Sequence, residues 1–243
     1  MIQISQEQLD HINLQLGKLT PQEIIKWSYI TFPNLFQISA FGLTGLITID
    51  IINKLELPIE LVFIDTLYHF PQTLELVDKI KSKYNPKLHI FKPQVKDVTE
   101  FESKYGNNLW ETDDLKYDFL VKVEPLKRAY EELKINAVLT GRRSSQGGAR
   151  RGLEFIEIDR DNNVIKVNPF LTWNFNQVKS YIDENNVPYN ELLDLGYKSI
   201  GDWHSTEPVG ENEDERSGRW KGKAKTECGI HQTSKYAEFL KSQ

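Results

Sequence analysis

"LFQISAFGLTGLITIDIINKL", Leu35 to Leu55, joins a short apolar run to a glycine-punctuated turn and then to a longer apolar run. "LFQISA" suits a buried strand. "FGLTG" interrupts the pattern, and the apolar residues of "LITIDIINKL" cover most of a helix surface, as expected of a buried helix. Strand, tight turn and buried helix together predict an α/β unit. A membrane span does not fit, because Gln37, Ser39, Thr44, Thr48 and Asp50 break up Leu35 to Ile52.

The same alternation continues downstream. "ELVFIDT" reads as a second strand, and "PQTLELVDKIKSKY" as a helix with Leu74, Val77, Ile80 and Tyr84 on one face. "KLHIFKP" is a third strand. "VEPLKRAYEEL" is a helix carrying Val123, Leu126, Ala129, Tyr130 and Leu133, with Pro125 in its first turn, and "INAVLTG" is a fourth strand. Upstream, "LTPQEIIKWSYITFP" starts a helix at Thr20 and Pro21. Alternation of this kind predicts an α/β fold: a twisted parallel sheet with helices on both faces. Beyond Gly141, "LEFIEIDRDNNVIKVNPF" predicts a hairpin turning at Asp161 to Asn163, and "NFNQVKSYIDENN" a helix with Phe175, Val178 and Ile182 in register. From Gly201 the chain is rich in Gly, Pro and acid, without apolar period. The expected organisation is a nucleotide-binding domain over 1–200, with N-terminal helices in 1–32, and a flexible segment over 201–243.

Composition narrows the function classes. Hydrophobic residues at 39% and charged residues at 27% describe an ordinary globular protein, and a net charge of -5 disfavours general nucleic-acid binding. An anionic ligand would then need a local basic cluster. The one cysteine cannot form an internal disulfide, so a reducing compartment is expected. The N-terminus has no basic start followed by an apolar run, which predicts no signal peptide and a cytoplasmic protein.

Ligands of open parallel sheets bind at the carboxyl ends of the strands, and four motifs are expected there. In "SAFGLTG", Gly42, Thr44 and Gly45 either let backbone N–H groups cradle a phosphate or serve only a tight turn; neither common phosphate-loop pattern matches. Asp65 and Thr66 end the second strand, where Asp65 either holds a ribose or amide edge or caps the next helix. "TGRRSSQGGARRG", Thr140 to Gly152, packs four arginines, four glycines and two serines into thirteen residues. Arg142, Arg143, Arg150 and Arg151 cannot all be buried without anionic partners, and their forks match phosphate or sulfate; the alternative is a solvated basic loop.

The tail supplies a fourth motif, "ERSGRWKGKAKTECGIH". Arg216, Arg219, Lys221, Lys223 and Lys225 surround Cys228, and neighbouring cations favour a thiolate nucleophile. An inert thiol is the competing reading. His231 would share a face with Cys228 in a helix, a spacing that also suits a surface histidine. These features describe an adenylate-type anion between two basic clusters, with a thiol brought to it. If Cys228 becomes modified, no second thiol in the chain can resolve it, so an external dithiol must.

"AFGLTG", "FIDTLYHFPQT", "KVEPLKRA", "TGRRSSQGGAR", "NPFLTWNFNQVKSYIDENNVPYN" and "ERSGRWKGKAKTECGIH" occur in the order seen in phosphoadenylyl-sulfate (PAPS) reductases, which the chain resembles from about Leu35 to His231. The first loop looks most like the fungal enzymes. The resemblance implies a fold similar to the adenine nucleotide alpha hydrolases and ATP pyrophosphatases. It also implies reduction of 3'-phosphoadenylyl sulfate to sulfite and adenosine 3',5'-bisphosphate, with thioredoxin as electron donor. In similar enzymes the terminal cysteine takes up the sulfuryl group, a role that carries onto Cys228. Phosphosulfate contacts carry onto Lys122, Arg216, Arg219 and His231. Nucleotide contacts carry onto Ser39, Phe41, Gly42, Thr44, Asp65, Thr66, Arg142, Arg143, Gln146 and Arg150. A homodimer with the tail closing over the nucleotide is also implied. Relatives that reduce the substrate lacking the 3'-phosphate carry an iron–sulfur cluster needing four thiolates, which one cysteine cannot supply. An ATP-using adenylating enzyme, for which Cys228 would be idle, and a non-catalytic nucleotide-binding protein are the competing functions.

Overall fold

Two capped helices precede the first strand in the computed structural model, which describes residues 4–230, 233–236 and 239. Helix α1, Gln6–Leu16, starts at a capping box between Ser5 and Gln8; α2, Pro21–Thr31, starts at one between Thr20 and Glu23, with Pro21 in its first turn. Such caps are worth about 1 kcal/mol each because they satisfy N–H groups that the helix cannot. The unit of the opening stretch forms as read, with β1 at Leu35–Ile38 and α3 at Leu43–Lys54.

Next come β2 (Glu60–Ile64), α4 (Pro71–Tyr84) and β3 (Leu88–Phe91). Three short helices follow, α5 (Val98–Tyr105), α6 (Leu109–Thr112) and α7 (Asp114–Asp118). A π-helical turn, Phe119–Val123, then leads into α8 (Glu124–Glu132). The chain continues through β4 (Ala137–Leu139), the hairpin β5 (Ile156–Asp159) and β6 (Val164–Val167), and α9 (Phe175–Glu184).

The six strands form one sheet in the order β3-β2-β1-β4-β6-β5. All pairings are parallel except the β5–β6 hairpin, which leaves an antiparallel strand on one edge. Alternation along the strands divides their side chains between two cores. Leu35, Leu61, Phe63, Ala137, Leu139, Ile165 and Val167 join α2, α3, α4 and α9 on one face, while Phe36, Val62, Ile64, Val138 and Val164 join α8 on the other. Each fully buried Leu, Ile, Val or Phe favours the fold by about 1.5–3 kcal/mol relative to exposure. Among the described residues no helix is long and apolar enough to cross a membrane.

Three details depart from the sequence reading. The inward face of α4 is Thr73, Leu76, Val77, Ile80 and Tyr84, whereas Leu74 is 44% exposed. The stretch 98–122, to which the sequence pattern assigns no element, folds as short helices around a third core of Tyr68, Phe101, Leu109, Trp110, Tyr117 and Val121. Gly201, expected to begin a separate flexible segment, marks no break in packing. Asp202 and Thr206 are buried and bridge to His69 and Arg219, and Trp220 is buried beyond them. Specific bridges, rather than a periodic apolar face, hold this segment.

Candidate active site

The carboxyl ends of β1, β2 and β4 open into a cavity of about 260 Å³, closed on the far side by 197–202 and by the segment carrying Arg216, Arg219 and Cys228. Ser39, Phe41, Gly42, Thr44, Thr66, Lys122, Arg142, Arg143, Gln146, Arg150, Arg216, Arg219 and Cys228 all line it. Asp65 does not. It pairs with Lys92 at 2.9 Å and accepts the Leu67 N–H at 3.0 Å, so it fastens the turn after β2 and does not cap α4, whose N-cap is Phe70. His231 lies outside the described residues.

The first turn of α3 forms the floor. Gly42 is its N-cap and supplies no side-chain acceptor, leaving the leading N–H groups of a twelve-residue helix at the cavity wall, where anions are favoured. Phe41 holds a left-handed φ of 55°, with its N–H on Ser39 Oγ at 2.9 Å. Gly45 is required by proximity: a Cβ there would lie 2.4 Å from Ser39 Oγ.

The arginines find their anionic partners inside the protein. Arg142 pairs with Glu157 at 2.5 Å. Arg143, 2% exposed, donates to both Glu215 oxygens at 2.7 and 2.8 Å and to Thr44 Oγ1 at 3.0 Å. Glu215 also accepts from Gln146 Nε2 at 2.8 Å, so Arg143 and Gln146 bolt the basic loop to the tail. Arg150 meets Glu227 at 2.6 Å and Arg216 meets it at 3.1 Å. Arg151 is exposed and does not line the cavity. Burial, reinforced by Arg150, lowers the Arg216 pKa to about 10, opposed by Glu227.

Arg219 differs from these. Its guanidinium stacks 4.5 Å over the Trp220 ring, its Nε is enclosed without a hydrogen-bond partner, and burial depresses its pKa. A Cβ at Gly201 would lie 2.1 Å from that guanidinium, so only glycine lets the group reach the wall. An enclosed cationic donor lacking an acceptor is costly and favours an anion beside it. Gly218 has a similar role in "ERSGR", since a Cβ there would meet the Glu207 carbonyl oxygen at 2.1 Å.

Cys228 is half-buried and its carbonyl accepts the Tyr236 hydroxyl at 2.6 Å. Gly229, at φ 73°, leaves room for that hydroxyl, and Ile230 packs against the core under α8. Across the cavity, the Lys122 ammonium lies 2.7 Å from Asp202 and 2.9 Å from Asp118. Burial alone would lower its pKa, but Asp202, Asp118 and the nearby Cys228 raise it above the ordinary lysine value, so Lys122 is a fixed cation.

Asp202, Asp118, Glu215 and Glu227 were not singled out by the sequence reading. Two stood inside quoted motifs, Glu215 before Arg216 and Glu227 before Cys228, and the demand of buried arginines for carboxylates was their available signal. Tyr117 and His204 carried none: they complete the lysine cluster from distant segments, with His204 Nε2 2.9 Å from the Tyr117 hydroxyl.

The arrangement is a cavity that brings one thiol together with Lys122, Arg142, Arg143, Arg150, Arg216 and Arg219, a lining suited to an anion. Residues 34–208 match the family model described as the phosphoadenosine phosphosulfate reductase domain. The chain is 63% identical to the phosphoadenosine phosphosulfate reductase of Saccharomyces cerevisiae, over 98% of this chain and 95% of the relative. A solved structure, phosphoadenylyl-sulfate reductase from Candida auris in a phosphate complex, superposes with a TM-score of 0.79 at 57% identity, covering 85% of this chain and 99% of that one. Candida glabrata FMN adenylyltransferase shares the fold at 16% identity, with a TM-score of 0.58 over 93% of this chain and 78% of that one.

Proposed function

The chain belongs to the phosphoadenosine phosphosulfate reductase family, and from that premise we propose that it reduces 3'-phosphoadenylyl sulfate to sulfite through a Cys228 S-sulfonate. The observation that carries this reading is the placement of Cys228 in one cavity with Lys122, Arg216 and Arg219. The Cys228 thiolate attacks the sulfuryl sulfur, the bond from sulfur to the bridging oxygen breaks, and adenosine 3',5'-bisphosphate leaves with that electron pair. An anionic nucleophile approaching an anionic mixed anhydride meets repulsion, which Lys122, Arg216 and Arg219 offset while stabilising the leaving phosphate. Ser39, Phe41, Gly42, Thr44 and the first turn of α3 receive nucleotide phosphate, together with Thr66, Arg142 and Arg150.

The second half requires two electrons from outside. A thiolate of reduced thioredoxin attacks Cys228 Sγ, sulfite leaves, and the donor's second thiol resolves the mixed disulfide by closing its own. No iron–sulfur cluster takes part, since one cysteine cannot supply four thiolate ligands. The 3'-phosphorylated nucleotide is the substrate of this cluster-free route. The enzyme works as a cytoplasmic homodimer in sulfate assimilation.

Cys228→Ser tests the reading. Sulfite release with reduced thioredoxin should fall below detection while adenosine 3',5'-bisphosphate still binds; turnover at the native rate would overturn the mechanism. A thioredoxin keeping only its attacking cysteine should be trapped on Cys228 after exposure to substrate and not before.

A further inference from the structure

A cavity that takes a polyanion has a reason to exclude carboxylates from its wall, yet Asp202 lines it. The residue is 1% exposed, and nothing in its local sequence, "SIGDWHS", makes it a helix or strand residue. An acidic group retained against both desolvation and the charge of the ligand must serve a neighbour. Its surroundings identify that neighbour. Oδ2 lies 2.7 Å from the Lys122 ammonium and accepts the Tyr117 hydroxyl at 3.1 Å, while Oδ1 accepts the Thr66 hydroxyl at 2.6 Å. Its carbonyl accepts the Thr206 hydroxyl at 2.9 Å and the Ser205 N–H at 3.1 Å, and its backbone bridges to His69. Side chain and backbone are both held, from segments far apart in sequence.

The second carboxylate on Lys122 is Asp118, which is not part of the cavity lining and also pairs with Lys225. The two aspartates therefore draw the ammonium in different directions: Asp118 toward α7, along its own helical stretch, and Asp202 toward the cavity that Lys122 and Cys228 both line. Burial would raise the Asp202 pKa, yet Lys122 and then His69 hold it far below the ordinary aspartate value, so the carboxylate remains charged.

We propose that Asp202 is a positioning residue: anchored by Thr66 and Tyr117, it holds the Lys122 ammonium at the cavity wall facing Cys228, where that charge meets the phosphosulfate. The inference rests on the reductase reading above. It requires that loss of the Asp202 charge slow sulfuryl transfer even though a negative charge has been removed from an anion site. A purely electrostatic wall group would do the reverse.

Asp202→Asn preserves shape and the acceptor for Thr66. Single-turnover formation of the Cys228 S-sulfonate, read by mass spectrometry, should slow about 10- to 100-fold through misplacement of Lys122. Affinity for adenosine 3',5'-bisphosphate should hold or tighten. In a Lys122→Met background the same change should slow transfer by less than about twofold, because effects through one group do not add. A native rate in Asp202→Asn, or a full loss that persists in Lys122→Met, overturns the proposal. Should thermal melting show Asp202→Asn unfolded, Tyr117→Phe replaces it, since Tyr117 anchors Asp202 without lining the cavity, with an expected loss of about 3- to 10-fold from one missing hydrogen bond. That loss must vanish in Lys122→Met, and its persistence overturns the proposal. A wild-type protein that forms no S-sulfonate defeats the reductase reading and this inference together, whereas a competent wild type with an indifferent Asp202 defeats the inference alone.

Discussion

On one side of the cavity Arg150 and Arg216 share Glu227, a residue of an irregular stretch next to Cys228; on another, Lys122 pairs with Asp118 and Asp202, which are about 1% exposed, and Lys225 also holds Asp118. Both walls are neutralised internally, but the energetics differ. Glu227 sits on a coil with its carboxylate partly open to solvent, so an incoming anion can replace it on the guanidinium forks and let it swing to water. The aspartates have no such exit: separating them from Lys122 would strand buried charges, a loss of about 3–5 kcal/mol for a broken buried pair. Arg143 with Glu215 belongs with the fixed side despite its place in the basic loop, since both side chains are under a tenth exposed. One wall is thus an exchangeable receptor and the other a preset charge.

Three perturbations probe this contrast. The largest effect is expected from Lys122→Met, which removes the preset charge: sulfite formation should fall about 100- to 1000-fold, the range seen when one preorganised donor is deleted from a reacting centre. A loss confined to KM would mean that Lys122 binds ground state and transition state equally, and the contrast between walls would collapse.

A smaller effect is expected at Glu227. Glu227→Gln removes the competitor from Arg150 and Arg216, so adenosine 3',5'-bisphosphate should bind about 3- to 10-fold more tightly, a gain on the scale of one partly exposed ion pair. Calorimetry decides the point. Weaker binding would show that Glu227 is scaffold rather than stand-in, and both walls would then be fixed.

The smallest effect concerns stability against pH. Burial pushes the His204 pKa down to about 4 from 6.5, with Asp202 opposing and Lys122, Lys223 and Lys225 reinforcing. The unfolded chain therefore binds the extra proton first, so the neutral imidazole's contribution is complete above pH 6.5 and is lost as pH falls toward 4. The depressed Asp202 pKa acts in the same direction at lower pH: its contribution is present above the unfolded value of 3.8 and declines as pH falls below it. Melting temperature should drop between pH 6.5 and 4, and His204→Gln should flatten that slope. An unchanged slope would detach His204 from the lysine wall, against its 2.9 Å contact with Tyr117 and its stacking on Trp110 at 4.1 Å.

Legibility in the sequence followed the same division. β1, α3, β2 and the β5–β6 hairpin were readable because period and punctuation are local properties, and the glycine-rich and arginine-rich loops stood out by composition. The stretch 98–122 receives no element from the sequence, since Phe101, Trp110 and Tyr117 meet through tertiary packing around Tyr68 rather than at a helical period. The apolar period puts Leu74 on the buried face of α4, but the residues that meet the core are Thr73, Leu76 and Val77, a choice made by the neighbouring elements. The tail read as unstructured because bridges and close-packed glycines, not an apolar stripe, hold it in place.

By itself the sequence determined the alternation of strands and helices, the clustering of arginines after β4 and the presence of a single thiol among cations, because these are facts of order and composition. Only the tertiary structure decided which carboxylate meets each cation, that Arg219 alone keeps an enclosed nitrogen unpartnered among the described arginines, and that Asp202 stands behind Lys122. Ion pairing in a low-dielectric interior depends on distances of a few ångströms between segments up to 111 residues apart, as between Lys225 and Asp114, and no local pattern encodes them.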